Sequence, residues 1–307
     1  MKIFLNEYIH PQAVELLAQN AEIINTFDQV EEIDGIVLRG EKITREIMQK
    51  ATKLKVIGKH GVGYETIDVA AAKELGITIV YTPGANANAV AELGVGILLD
   101  VARKISLGRE MVCKDEVKVI APKELAGVEL RGKTLGLVGM GNIAKSIAGI
   151  LHCGFGMQVI GYDPYYKGAH DETLPVRQYS DLHEMLALAD VINVSVPLLD
   201  STVGMIGAAE LVCCKPTAIL LNTSRGKIVD EAALYESLST GKLLGAASDV
   251  FAQEPPTSQN PLFSLPNFVG TPHIGGQTED AMINMGITVV EDVLRVVRGE
   301  APHNPVN

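Results

Sequence analysis

The chain has 307 residues, of which 47% are hydrophobic and 30 are glycine, and its formal net charge is −11. That length suggests two domains, and the composition suits a large core with many tight turns, not a disordered chain. The acidic balance argues against nucleic acid or an anionic membrane surface as partner, since both reward Lys/Arg patches, but a few local cations would suffice for a small anionic substrate.

Short apolar strands alternate with helices from the first residues. Lys2–Leu5 reads as strand, Pro11–Gln19 as helix, Glu22–Asn25 and Asp34–Leu38 as strands, Thr44–Ala51 as a helix capped by Thr44, and Lys55–Gly58 as strand. Thr66–Leu75 reads as a helix ended by Gly76, followed by strand Ile77–Tyr81. A long helix is expected from Ala87 to Gly108, with Val90, Leu93, Ile97, Val101 and Ile105 along one face, as a bridge between two lobes. Arg109–Leu130 carries mixed charge and weak periodicity, which fits a surface excursion or an oligomer contact. Strands then follow at Thr134–Val138, Met157–Tyr162, Val191–Val196, Ala218–Asn222, Gly245–Val250 and Phe268–Gly270. Helices are expected at Lys145–Cys153, Asp181–Ala187, Glu231–Leu238 and Thr278–Arg298, the last returning toward the first lobe. This is an α/β pattern of two doubly wound parallel sheets.

Cys113, Cys153, Cys213 and Cys214 show no CxxC or Cys/His ligand spacing, so neither a metal site nor a disulfide framework is expected. The thiols read as reduced and mostly buried. MKIFLNEY begins directly as a strand without a basic leader, and no apolar run nears the ~20 residues of a membrane span, so a soluble, cytoplasmic protein is expected.

The stretch Lys133–Asp163 carries the strongest motif. Strand Thr134–Val138 runs into Gly139-Met140-Gly141-Asn142-Ile143-Ala144, then a helix, then a strand ending in Asp163, the context a dinucleotide fingerprint requires. Gly139 permits the tight turn, and Gly141 lets backbone N–H groups approach a pyrophosphate at the helix N-terminus. Asp163 can accept the ribose hydroxyls and would repel a 2′-phosphate, which favours NAD over NADP.

Three polar residues fall just beyond strand C-termini, where open α/β sheets place ligands: Arg225 in NTSRG, Glu254 in DVFAQEP and His273 in TPHIGG. A guanidinium can hold an α-keto carboxylate through two contacts. An imidazole can exchange a proton with a carbonyl oxygen as hydride moves, and a carboxylate bonded to it would orient it and raise its pKa.

GKHGVGYETID, PGANANAVAE, GKTLGLVGMGNIA, VSVPLLDST, LLNTSRGKIVDEAALYESL, GAASDVFAQEP and LPNFVGTPHIGG, in this order, resemble the NAD-dependent D-2-hydroxyacid dehydrogenases, on their phosphoglycerate dehydrogenase side. The resemblance implies two Rossmann-like or flavodoxin-like lobes with the active site in the cleft between them. It divides the chain into a substrate domain, 1–99 with 282–307, and an NAD-binding domain, 100–281. It assigns Arg225 to the substrate carboxylate, His273 to acid/base chemistry and Glu254 to tuning His273. Asp249 matches the residue that holds the nicotinamide amide, and Met140, Gly141, Asn142 and Ile143 match the pyrophosphate turn. Further cofactor contacts fall on Pro197, Thr202, Thr223, Ser224 and Gly275. On the substrate side Gly61, Val62 and Gly63 match an anion-binding glycine loop, Asn86 a pocket asparagine and Arg39 a substrate-facing arginine. Lys59 and His60 precede the loop and read either as pocket residues or as a solvated pair. Arg39 and Lys59 together suggest a second anionic group on the substrate.

The resemblance also implies a homodimer through the region that includes Arg109–Leu130. There are departures: no tryptophan, Ser195 in place of a frequent histidine, and an end at Asn307 that leaves feedback control by serine unexpected. Glu254 speaks against formate dehydrogenase activity, where glutamine stands. The expected reaction is hydride transfer between NAD(H) and C2 of a small D-2-hydroxyacid of the 3-phosphoglycerate kind. Hydroxypyruvate/glyoxylate reduction is the alternative, and a non-catalytic NAD(H)-sensing protein a more distant one.

Overall fold

Apolar runs too short for helices form strands buried on both faces, as parallel sheets require. In the structure, a computed structural model that describes residues 1–166 and 174–307, the chain divides into two units, residues 1–86 with 276–307 and residues 87–275. The exchange points lie at 86/87 and 275/276 instead of the expected 99/100 and 281/282. The long helix expected to bridge the lobes therefore belongs wholly to the second unit.

The first unit opens with β1 (Lys2–Phe4), α1 (Pro11–Ala18), β2 (Glu22–Ile24), β3 (Gly35–Leu38), α2 (Arg45–Lys50), β4 (Val56–Lys59), α3 (Val69–Glu74) and β5 (Thr78–Val80). Its strands pair in parallel in the order β2-β1-β3-β4-β5. Helix α3 starts later than the expected Thr66 because Asp68 caps it, accepting the Ala71 N–H at 2.8 Å, while Ile67 forms a bridge with Ile43.

The second unit contains α4 (Ala87–Arg103), α5 (Ile105–Cys113), β6 (Thr134–Val138), α6 (Asn142–Gly149), β7 (Gln158–Tyr162), β8 (Val176–Tyr179), α7 (Leu182–Leu188), β9 (Val191–Val194), α8 (Ala208–Cys213), β10 (Ile219–Asn222), α9 (Glu231–Ser239), β11 (Gly245–Ser248) and β12 (Phe268–Gly270). Its parallel sheet runs β12-β11-β10-β9-β6-β7-β8. The strand order reverses between β6 and β9, and ligands of open α/β sheets bind beyond the strand C-termini at such a switch.

The helix expected over Ala87–Gly108 breaks at Lys104, which is left-handed at φ 54°. The Val128 N–H takes the Ala102 carbonyl at 2.8 Å, leaving it unavailable to continue the helix. Ile105 consequently leaves the apolar stripe and stands 57% exposed. Helix α6 begins at Asn142, three residues before expectation, and gives way to a π-helical turn at Ile150–Gly154.

The chain returns to the first unit as α10 (Glu279–Val297). Its Val289, Val290, Val293 and Leu294 share a buried cluster with Ile3, Val37, Val56 and Val80. Gly58 permits this approach, since a Cβ there would sit 2.4 Å from Val293 Cγ2. Asp292, fully buried, accepts the backbone N–H of His303 and Asn304, and the tail then lies along β5, with Val306 donating to Ile79.

The thiols depart from expectation: Cys113 and Cys153 are exposed, Cys213 is half-buried and only Cys214 is buried, where burial pushes its thiol pKa up to about 12. Among the described residues no helix is long and apolar enough to cross a membrane, and no group of three or more His, Cys, Asp or Glu side chains could hold a metal ion.

Candidate active site

Three loops leave the C-terminal ends of β10, β11 and β12 and carry Arg225, Glu254 and His273. His273 Nδ1 lies 2.9 Å from Glu254 Oε2, and Glu254 Oε1 accepts the Phe251 N–H at 3.1 Å. With Nδ1 engaged, Nε2 is the nitrogen that can exchange a proton with a ligand. Burial alone would raise the Glu254 pKa. The His273 hydrogen bond, the Phe251 N–H and the charges of His273 and Arg225 outweigh it, so the carboxyl titrates below its ordinary value. Arg225 is half-buried and donates through one guanidinium nitrogen to the Ser224 carbonyl at 2.8 Å.

His273 has a left-handed backbone, φ 55°, which costs a non-glycine residue energy unless its surroundings impose it. Asp249, 2% exposed, imposes it. Its carbonyl accepts the His273 N–H at 2.8 Å. Its carboxylate accepts Thr271 Oγ1 at 2.6 Å and the N–H groups of Ile274 and Gly275 at 2.8 Å each. Asp249, which the resemblance matches to the residue that holds the nicotinamide amide, thus also holds the His273 loop through its carboxylate.

The fingerprint turn follows β6. Gly139 adopts φ 87°, and a Cβ there would meet the Ser195 carbonyl oxygen at 2.5 Å, so only glycine fits. A Cβ at Gly141 would meet nothing within 4 Å, so open space lies above the N-terminus of α6, where Gly141 and Asn142 are exposed and Ile143 half-buried. Asp163, at the end of β7, accepts the Met140 N–H at 3.0 Å and the Tyr165 N–H at 2.9 Å.

Thr223 Oγ1 is buried without a partner. Two other expected cofactor hydroxyls work within their own turns: Thr202 donates to the Pro197 carbonyl at 2.6 Å and Ser224 to Asn222 Oδ1 at 2.7 Å. Asn222 also donates to the Arg225 carbonyl at 3.1 Å. Sequence reasoning missed Asn222 as the residue shaping the NTSRG turn; the signal was a polar side chain closing an otherwise apolar strand.

In the first unit the residues after β3 and β4 come together. Lys59 and His60 are not a solvated pair, being 7% and 4% exposed. Lys59 Nζ donates to the Arg39 carbonyl, which turns that ammonium inward. His60 Nε2 has no partner, and neither has Asn86 Oδ1. The expected amide cradle at Gly61-Val62-Gly63 is smaller than read: the Gly61 N–H donates to Thr82 Oγ1 at 3.0 Å, which leaves Val62 and Gly63 as its candidate donors.

The sequence matches, over residues 95–275, the model of the D-isomer specific 2-hydroxyacid dehydrogenase, NAD binding domain. The chain belongs to the D-isomer specific 2-hydroxyacid dehydrogenase family. It is 40% identical to a D-3-phosphoglycerate dehydrogenase of Methanocaldococcus jannaschii over 100% of this chain and 59% of that protein. It thus spans about three fifths of that relative's length. It is also 40% identical to a hydroxypyruvate reductase of Thermotoga maritima, over 96% of this chain and 97% of the other. Among solved structures, the TT0316 protein of Thermus thermophilus superposes with a TM-score of 0.90 at 35% identity, covering 100% of both chains.

For this D-2-hydroxyacid dehydrogenase family member, the second unit is the nicotinamide-dinucleotide-binding domain. Its residues fit such a cofactor: a glycine turn with open space before a helix N-terminus, a carboxylate at the end of the next strand and the orphaned Thr223 hydroxyl.

The buried His60 predicts a pH dependence of stability. Burial, then the Arg39 charge, lowers its pKa from 6.5 to about 4. The folded state therefore keeps His60 neutral where the unfolded chain protonates it. Its contribution is complete above about pH 6.5 and is lost as pH falls toward about 4. By about pH 5 the loss is expected to reach about 2 kcal/mol. Denaturant melts should show it, and His60→Gln should flatten the decline; an equally steep decline in the variant would remove His60 as its cause.

Proposed function

We propose that the chain is an NAD-dependent oxidoreductase that passes hydride between C4 of the nicotinamide and C2 of a short D-2-hydroxyacid or its 2-oxoacid, the substrate carrying a second anionic group. The observation that carries this reading is the His273–Glu254 pair at 2.9 Å, on the same sheet end as Arg225 and in the same unit as the Gly139–Ile143 turn. Bound NADH would supply the hydride. Arg225 would hold the substrate carboxylate through its guanidinium, and His273 Nε2 would give a proton to the C2 oxygen, returning as base in oxidation. Glu254, held ionised, would keep Nδ1 as the bonded nitrogen and stabilise the imidazolium. Arg39 would meet the distal anion, with the Val62 and Gly63 amides and Asn86 as further substrate contacts and His60 lining the same segment.

Asp163 supports NAD over NADP, because its carboxylate stands where a 2′-phosphate would bring more negative charge. The phosphoglycerate dehydrogenase relative supports the phosphorylated substrate, and the hydroxypyruvate reductase of matching length supports the smaller one. The test is NADH oxidation across phosphohydroxypyruvate, hydroxypyruvate, glyoxylate, pyruvate and branched 2-oxoacids, with NADPH in parallel. The expected result is highest kcat/KM with phosphohydroxypyruvate and NADH. Preference for hydroxypyruvate or glyoxylate would sink the second-anion reading and leave the hydride chemistry standing.

The oligomer proposed is a homodimer. Ile105, Val112, Val119 and Ile120 are 57%, 64%, 63% and 100% exposed, an apolar set that a second copy would cover. Sedimentation at micromolar concentration should give the dimer mass, and a monomer would refute it.

A further inference from the structure

The loop that presents Arg39 is held from both sides by charged groups of the fold. Glu7 follows β1. Its carboxylate accepts the backbone N–H of Arg39 at 2.6 Å, of Gly40 at 2.7 Å and of Glu41 at 3.1 Å. Three successive amides converging on one anion form a nest of the kind that elsewhere binds phosphate or a ligand carboxylate. Here a side chain of the protein fills it. On the opposite side Lys59, the last residue of β4, donates to the carbonyl of the same Arg39. β1 and β4 flank β3 in the sheet, so the peptide N–H and C=O of Arg39 are gripped by its two neighbouring strands. The Arg39 guanidinium in turn donates to the Tyr8 carbonyl at 3.2 Å, one residue from Glu7. The Glu7 carboxyl stays ionised to lower pH than usual: burial opposes this, and the three amides with the Lys59 charge outweigh it.

We propose that Glu7 and Lys59 are positioning residues for substrate selection, fixing the backbone of Arg39 so that its guanidinium meets the distal anionic group of the substrate. The inference rests on the proposed function. It removes Lys59 from the set of direct substrate ligands and gives Glu7 a place that its charge alone would not suggest. A free carboxylate beside an anion site would repel the substrate, whereas one enclosed by three amides and facing an ammonium is largely neutralised. Gly40 fits the same requirement, since a Cβ there would lie 3.3 Å from Glu7 Oε1.

The test compares Glu7→Gln, Glu7→Asp, Arg39→Ala and the double variant Glu7→Gln/Arg39→Ala in the full chain. Each is assayed with phosphohydroxypyruvate and with glyoxylate, which has no distal group. Glutamine is isosteric but uncharged, and its NH2 cannot accept an amide N–H. Glu7→Gln is expected to raise KM for phosphohydroxypyruvate about tenfold with kcat held within about twofold, the loss of a charge-assisted contact. KM for glyoxylate should not follow. Glu7→Asp should recover part of the loss. In the Arg39→Ala background Glu7→Gln should add nothing further, because both act through one guanidinium. Hydrogen exchange at residues 39–41 should quicken in Glu7→Gln while the rest of the first unit stays protected.

Equal losses on both substrates, or additive losses in the double variant, would reduce Glu7 to a general fold residue and overturn the proposal. So would faster exchange at residues 39–41 with unchanged selectivity. If Arg39→Ala matters and Glu7→Gln does not, the positioning inference fails and the proposed function stands. If Arg39→Ala itself leaves selectivity unchanged, the second-anion reading fails and the inference falls with it.

Discussion

Replacing His273 with alanine is expected to lower kcat by about 10²–10⁴-fold, the usual cost of losing a general acid, while NADH still binds. The imidazole is 46% exposed and bonded to Glu254, so its removal leaves no buried cavity. The nucleotide turn at Gly139–Ile143 and the Asp163 carboxylate lie on other strands of the sheet. Binding followed by nicotinamide fluorescence should therefore change little. A variant that kept its turnover would remove His273 from the chemistry. One that lost NADH binding as well would make His273 a structural residue of the loop that Asp249 holds. The same pair sets an acid limit. Glu254 titrates below 4.5 in the folded state, so its contribution is complete above that value and is lost as pH falls through its lowered folded pKa.

The second large effect comes from one methyl group. A Cβ at Gly226 would lie 1.9 Å from the Phe251 carbonyl carbon, 2.1 Å from its oxygen and 2.4 Å from the Ala252 nitrogen. These are backbone atoms, so no rotamer change relieves the clash. The segment is also anchored: Ala252 N–H donates to Glu231 Oε1 at 2.6 Å, and the Phe251 ring packs against Phe263 and Phe268. Gly226→Ala is expected to cost about 3 kcal/mol, the upper end for overpacking, and to lower the melting temperature by roughly 6–12 °C. Activity should fall too, since this contact joins the loop carrying Arg225 to the loop carrying Glu254. Gly141→Ala is the control: its Cβ meets nothing, so calorimetry should find folding kept while NADH affinity drops. Similar melting temperatures for Gly226→Ala and the parent would contradict the packing account.

Much of this was legible in the chain because the deciding forces are local. Thr134–Val138 and Phe268–Gly270 form strands to the residue, since short, mainly apolar runs bounded by turn formers have few alternatives. Arg225, Glu254 and His273 could be placed at strand ends for the same reason. What escaped was set by contacts between distant residues. The break at Lys104 depends on Val128 reaching Ala102. β8 reads VRQY and is an edge strand with half its side chains in solvent, so its periodicity is weak. α8 is six residues long, opened by Glu210 accepting the Gly207 N–H at 3.0 Å, too short a run to stand out. Lys59 read equally well as a pocket residue or a solvated charge, and its burial rules out the solvated reading, because the Arg39 carbonyl draws it inward. The left-handed His273 was equally hidden, being imposed by Asp249 from another strand end.

Hydride transfer itself is the most direct measurement. The full chain would be incubated with NADH carrying deuterium at both C4 positions and a 2-oxoacid, and the product examined by mass spectrometry and chiral chromatography. The account predicts deuterium at C2 of the D-isomer, one per NADH consumed. Label released to water, an L-product, or NADH bound without any transfer would contradict it.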